Sequence, residues 1–535
     1  MKTLLWNGKV YVERGRFEEA VLVEDGIIQA VGGNEELKAI AGEAKLIDCE
    51  GRTVVPGFND SHLHLLDVGR NRYQASLSGC RSIEELIQTC RDYIEKYPER
   101  VKGGMKASGW NQDLFAEKRM PTRHDLDRIS TEIPIVLSRV CHHIDALNTK
   151  AIEVLGVDEN FPEIPGGEIQ REENGYPNGI FCEIYEFTRQ ALPPVSEEEL
   201  DTIIQLAMDY ASSRGLTSVQ SNDLHTGSDY EENMAGYHRI YKSGKAKLRY
   251  RVQGSFATVE DLKKYVESGD FGPDQEVGEL YKMGPVKLFK DGSLGGRTAY
   301  MRNEYNDAPG EVGIECVTVE EMDAYCQAAK ELGLQVVVHV IGDRAVSETL
   351  DAYEKVLVDG KNVHRNALVH CQITDKELLQ RIADMDVPVM AQPVFLDYDM
   401  TIVEDRCGKE LASTSYAFGT LEKLGAHVSY GTDSDVEDCN PLANIYHAVT
   451  RKRKDETPEG GFYPEECVDV YTAVDAYTIG SAHAEFAEDK KGRIKPGYFA
   501  DLVILDKDIF TVDPMEIRDM DPVLTMMDGK VVYRR

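Results

Sequence analysis

From residue 216 onward the chain alternates short, uninterrupted apolar runs with amphipathic stretches, and this alternation constrains the fold more than any other feature. The runs lie at residues 217–220, 248–254, 284–289, 335–339, 367–370, 387–392 and 427–432. Helix-like stretches fall between several of them, at 320–332, 345–358 and 375–384. A strand that is apolar on both faces must be covered on both, as in a parallel sheet flanked by helices. These seven runs, with an earlier one at 53–61 that leads into His62-Leu63-His64, make eight. Eight strands with intervening helices fit an α/β fold of the TIM-like (β/α)8 barrel type. An open doubly wound sheet is the alternative.

The two ends of the chain read differently. Residues 1–56 are strand-like runs punctuated by Asn7-Gly8 and Asp25-Gly26, dipeptides that favour two-residue hairpin turns. The tail has the same character at 500–505 and 523–534, with Asp528-Gly529 inside the second run. We therefore expect one composite β-sandwich domain from residues 1–56 and 485–535, with the barrel at 57–70 and 214–484. The interval 71–213 is too long for a loop. Its helix-like stretches at 83–97 and 200–213 and a strand-like run at 135–139 predict an inserted α/β subdomain covering the active site.

Composition limits the partners. The formal net charge of −34 argues against nucleic acid and against anionic membrane, since both need a basic footprint. No run of about 18 apolar residues occurs, so no membrane span is expected. The first apolar run breaks at Asn7-Gly8, too early for a signal-peptide core, and the 11 cysteines lack a CxxC pair. They read as reduced thiols of a cytoplasmic protein.

A lone His-x-His pair is commonplace, and a lone strand-end histidine usually belongs to the core. Here the pair has company. Residues two apart on a strand face the same side, so His62 and His64 converge. Functional groups of a parallel barrel gather at the C-terminal strand ends. Later runs carry Lys287 and end in His339, His370 and, just beyond Thr432, Asp433. Neutral imidazoles with a carboxylate suit zinc or a similar divalent ion. Such an ion acidifies bound water and polarises a carbonyl, and Asp433 is suited to move the proton. Lys287 as an ammonium has no lone pair to offer a metal.

This order resembles the amidohydrolase superfamily, whose barrel pattern is His-x-His, Lys, His, His, Asp. The finer motifs look like its YtcJ-like branch, amidohydrolase family three. They are Val55-Pro56-Gly57-Phe58-Asn59-Asp60-Ser61-His62-Leu63-His64, residues 287–292 and 339–345, Gly431-Thr432-Asp433, and Gly497-Tyr498-Phe499-Ala500-Asp501-Leu502. The resemblance covers nearly the whole chain. It implies that His62, His64, Lys287, His339, His370 and Asp433 hold one or two divalent ions, with Lys287 carboxylated on its ε-nitrogen so that it bridges two metals. The other reading of Lys287 is an ordinary buried lysine paired with Asp291. Asp60 and Asp343 are expected to orient histidine ligands.

In the insertion, Gly109-Trp110-Asn111, His143 with Asn148, residues 165–168 and residues 179–183 also match the branch, although His142 stands where glycine is usual. The resemblance implies that Trp110, His143 and Glu183 bind substrate, while Trp110 reads equally as core and Glu183 as a solvated residue. The activity implied is metal-dependent hydrolysis of a C–N bond other than a peptide bond, an amide or N-acyl group of a small molecule. Asp433 would be the general acid and base, and His370 or His143 a donor to the oxyanion. Ester or lactone hydrolysis and deamination would use the same ligands. A non-catalytic regulatory barrel would have lost a ligand, and none is lost. A homodimer is left open.

Overall fold

The alternating runs form one eight-stranded sheet, every neighbouring pair parallel, in strict chain order from Phe58–Leu63 to Val428–Tyr430. Between these lie strands two to seven: Leu216–His225, Arg249–Ser255, Tyr281–Phe289, Val336–Val340, Ala367–His370 and Val389–Ala391. The computed structural model describes residues 2–141, 143–227, 229–268 and 277–535. The sheet curls until its first and last strands meet. Asp433 N–H donates to His62 O at 2.8 Å, and His64 N–H donates to Ser434 O at 2.5 Å. Chain-ordered strands with joined ends make a barrel; a doubly wound sheet would reverse order at a switch point. Only glycine fits at the seam. A Cβ on Gly431 would lie 2.6 Å from His62 N and 2.8 Å from Asp60 Oδ1.

The two termini share one six-stranded sheet. Its order is Lys530–Arg534, Pro522–Met527, Leu502–Leu505, Thr53–Pro56, Lys9–Glu13 and Arg16–Glu18. A second sheet of four strands holds Ile27–Gly32, Ala20–Glu24, Lys2–Trp6 and Lys45–Asp48. Leu5, Val21, Val23 and Ile28 of the smaller sheet pack with Val10, Val54, Leu502, Ile504, Leu524 and Met526 of the larger in one apolar core.

Two of the three expected hairpins form. Asp25-Gly26 and Asp528-Gly529 both take positive φ at both positions, as a tight primed turn requires. Asn7-Gly8 does not make a hairpin: Lys2–Trp6 and Lys9–Glu13 belong to different sheets. There Asn7 alone takes positive φ (55°), and its side chain reaches Asp48 at 2.8 Å, so the chain steps between layers instead of reversing.

By its internal contacts the chain divides into two units, residues 1–67 with 207–535, and residues 68–206. The second unit is built on a six-stranded mixed sheet, in order Glu168–Arg171, Pro177–Cys182, Ile144–Leu147, Ile135–Arg139, Met105–Trp110 and Ala75–Ser76. Helix Ile83–Lys96, capped by Ser82, buries Ile83, Leu86, Ile87 and Cys90 in that unit's core. Asn148 is fully occupied there. Its Oδ1 accepts from Ile135 and Ala151 N–H, and its Nδ2 donates to Ser130 and Ile133 carbonyls. All eleven cysteines are free thiols. Among the described residues no helix is long and apolar enough to cross a membrane.

Candidate metal centre

The C-terminal ends of strands one, five and six bring imidazoles to one place, and strand eight adds a carboxylate. Ligand atoms of His62, His370 and Asp433 all lie within 4.8 Å of one another. His62 Nε2 and His64 Nε2 each stand 3.3 Å from Asp433 Oδ1. The ring of His339 packs edge-on against that of His370, with centroids 4.4 Å apart. Lys287 enters from strand four, almost wholly buried, with its Nζ lying 3.7 Å from the centre of the Phe289 ring.

Four of the ring orientations are set by hydrogen bonds. His62 Nδ1 lies 2.6 Å from Gln253 Oε1, and His370 Nδ1 lies 2.7 Å from Gln392 Oε1. Each glutamine donates its own amide to a backbone carbonyl, of Ser61 and Met390 respectively, both at 2.9 Å. The amide oxygens must therefore face the rings and accept from Nδ1–H, which leaves Nε2 with its lone pair. His64 Nδ1 is likewise held by the Asn222 carbonyl at 3.0 Å. In His339 it is Nε2 that is engaged, by Gly292 O at 2.9 Å, so its Nδ1 is the atom left for the centre.

These partners differ from the expected ones. Asp60 accepts from His62 N–H and from both the amide and the hydroxyl of Thr432, tying strand one to strand eight, while Asp343 accepts from Arg302 N–H. Neither carboxylate holds an imidazole through a hydrogen bond among those described. Two neutral glutamines and two carbonyls do that work. Gln392 directly follows the apolar strand Val389–Ala391, a local signal, whereas Gln253 lies inside Arg249–Ser255, a strand that also carries Arg249 and Arg251, and has none.

The buried centre is strained and poorly satisfied. His370 (φ 73°), Cys371 (φ 53°) and Asp433 (φ 54°) all occupy the left-handed region, which costs a non-glycine residue about 1–3 kcal/mol and persists where surrounding structure enforces it. Lys287 Nζ and His370 Nε2 are buried without hydrogen-bond partners. Asp291 does not pair with Lys287; it accepts backbone N–H groups of Tyr300, Ile341 and Gly342. Orphaned donors and lone pairs around one carboxylate are what a ligand set presents when its cation is considered separately.

Electrostatics agree with that reading. Burial, with Lys287 nearby, pushes His62 down to about 4 and His339 to about 3, and burial beside His339 holds His370 well below its ordinary value. These rings stay neutral at physiological pH, as ligands must. For His64 burial acts downward but its hydrogen bond to Asp433 prevails, raising it to about 9. Burial alone would raise Asp433, yet the protonated His64 ring at its side holds it well below the usual carboxylate range. His64 is thus protonated, with its Nε2 facing Asp433 Oδ1. Burial lowers Lys287 to about 7.

Three further groups at the barrel's upper end were not apparent in the sequence. Phe289 and Phe395, both half-buried, flank the centre, Phe395 stacking on His370 at 5.9 Å. His225, the last residue of strand two, is half-buried, and burial lowers its pKa.

The three insertion residues lie in the second unit. Trp110 is fully buried and donates its indole N–H to Leu137 O at 2.8 Å, which makes it a core residue with no polar atom to offer a substrate. His143 and Glu183 form an exposed pair, with Nδ1 2.8 Å from Oε2, and Glu183 N–H donates to His143 O. His142 lies outside the described residues.

Loss of either glutamine is expected to loosen the centre. Gln253→Leu and Gln392→Leu keep the volume but strand an Nδ1–H, and each should weaken metal binding by about 10- to 100-fold. Competition against a calibrated chelator reads this directly, and unchanged affinity in both variants would show that the amides are not holding ligands.

Residues 45–533 match the family described as "Amidohydrolase family". The Bacillus subtilis protein YtcJ, provisionally named an amidohydrolase, is 33% identical over 540 residues, spanning 100% of each chain. The N-substituted formamide deformylase of Arthrobacter pascens is 26% identical, over 98% of this chain and 96% of its own. A solved structure of an uncharacterised metal-dependent hydrolase from Pyrococcus furiosus has a TM-score of 0.79 at 28% identity, covering 96% of this chain and 100% of that one.

Proposed function

The chain belongs to the amidohydrolase family, and from that premise we propose that it is a metal-dependent hydrolase that cleaves a C–N bond of a small amide or N-acyl compound. The observation that carries the reading is the convergence of His62, His370 and Asp433 within 4.8 Å, beside the unpartnered Lys287 Nζ. We assign His62, His64, Lys287, His339, His370 and Asp433 to one or two divalent ions, with zinc suited to a set rich in imidazole. When bound, the ion supplies an acidified water and polarises the scissile carbonyl.

The side chains account for the remainder. The protonated His64 holds Asp433 ionised, so Asp433 takes a proton from the attacking water and returns it to the leaving nitrogen. That second transfer matters more for an amine than for an alkoxide, because an unprotonated amide nitrogen is a very poor leaving group. Lys287 near pH 7 is partly the free amine, the form whose lone pair attacks carbon dioxide to give a carbamate with release of a proton. A carbamate would place two anionic oxygens where an unpartnered amine now stands, donors suited to a divalent ion. The full-length similarity to a formamide deformylase supports the amide class. His143, paired with Glu183, is proposed as the insertion's substrate contact, since its Nδ1 is engaged and its Nε2 stays available.

The test is a panel of N-substituted formamides, acetamides and matched esters offered to zinc-loaded and chelated protein. Metal-dependent release of amine is expected. Hydrolysis of esters alone, or amide hydrolysis that survives chelation, would contradict the proposal.

A further inference from the structure

One imidazole at the catalytic end of the barrel belongs to neither the ligand set nor its supports. His225 ends strand two. Its Nε2 lies 3.2 Å from the carbonyl of Asn222, the same carbonyl that holds His64 Nδ1 at 3.0 Å. A carbonyl oxygen only accepts, and its two lone pairs serve two donors. Both rings must therefore bring a proton to it. That fixes His225 as the Nε2–H tautomer and leaves its Nδ1 as a bare lone pair.

The surroundings keep this arrangement rigid. Asn222 also donates its Nδ2 to Gln253 O at 2.6 Å and to Ser255 Oγ at 3.1 Å. Ser255 sits opposite His225 in the ladder between strands two and three, and its hydroxyl reaches Lys287 O at 3.3 Å. One asparagine thus ties His225 to His64, to the glutamine behind His62, and to the strand that carries Lys287. His225 is half-buried at the strand's exit, within electrostatic reach of both His64 and Lys287. A side chain with no part in the metal centre has been oriented with the same backbone device as a ligand.

We propose that His225 Nδ1 accepts a hydrogen bond from the N–H of the scissile amide, and so selects primary and secondary amides over esters and tertiary amides. The inference rests on the amide reading of the previous subsection and adds to it the residue that reads the nitrogen. A site built to accept an N–H leaves a buried lone pair unmatched when the substrate lacks one, and this is the strongest form of discrimination a small pocket achieves.

The experiment compares N-butylformamide, N-butyl-N-methylformamide and butyl formate on zinc-loaded wild type, His225→Phe and His225→Gln, with zinc content measured in each. His225→Phe should lose about 10- to 100-fold in kcat/KM on the secondary formamide and less than about threefold on the other two, at unchanged zinc content. His225→Gln, which can present an amide oxygen, should recover most of the loss. Equal losses on all three substrates, or no loss on the secondary formamide, would overturn the assignment while leaving the amide reading standing. Wild-type protein that cleaves butyl formate but neither formamide would instead overturn the amide reading and this inference with it.

Discussion

Asp433→Asn is expected to lower kcat on the best amide by about three orders of magnitude, inside the 10²–10⁴ range that positioned acid–base groups contribute. The asparagine is nearly isosteric, and its Oδ1 still faces His62 and His64, so the fold should persist. What disappears is the basicity. Asp433 is held ionised by the protonated His64 3.3 Å away, and an amide in that place can neither take a proton from water nor return one to the leaving nitrogen. The loss should be larger for amides than for activated esters, whose alkoxides depart without protonation. Steady-state kinetics on an amide and its matched ester check this, and a loss below about tenfold on the amide would remove Asp433 from the chemistry.

Lys287→Met should move stability and function in opposite directions. An amine without a hydrogen-bond partner is expensive to bury, and burial, only partly offset by Asp433, lowers its pKa from 10.5 to about 7. A base whose folded pKa is depressed destabilises the fold fully below that value, and the penalty fades as pH rises toward the unfolded pKa. Methionine fills the same apolar slot beside Phe289 with no charge to desolvate. Chelated Lys287→Met in carbonate-free buffer should therefore be more stable than chelated wild type by roughly a few kcal/mol at pH 7, with the gap narrowing toward pH 10. Its zinc content and its turnover should both fall sharply. Denaturant unfolding at pH 7 and pH 10, with metal analysis alongside, separates these effects. A variant that is less stable at pH 7 would show that the lysine has a partner after all.

The barrel and its strand-end cluster of candidate ligands were legible in the sequence because both follow local rules. A strand buried on two faces must be apolar throughout, and a catalytic group in a parallel barrel must stand at the strand's exit. His62, His64, Lys287, His339, His370 and Asp433 all fall at or near such exits. The supports were not legible, because they are defined across strands. Gln253 matters because it faces a histidine 191 positions earlier, and Asn222 because its carbonyl serves two rings. Nothing in either segment alone marks them. Asp60 misled for the same reason: histidine ligands need acceptors and it was expected to serve as one, whereas its carboxylate is spent on the His62 backbone N–H and on Thr432 across the barrel seam. Asn7-Gly8 carried a genuine local signal, but a dipeptide cannot tell whether the next strand joins the same sheet or the facing one. Trp110 looked equally suited to core or pocket until the Leu137 carbonyl accounted for its only polar atom.

The most direct test of the central claim is metal content, measured by elemental analysis on the purified chain beside His62→Ala after exhaustive dialysis. One or two divalent ions per wild-type chain, and none retained by His62→Ala, is the predicted result. Wild-type protein that holds no ion after zinc reconstitution, or a His62→Ala variant that holds as many as wild type, would contradict the account.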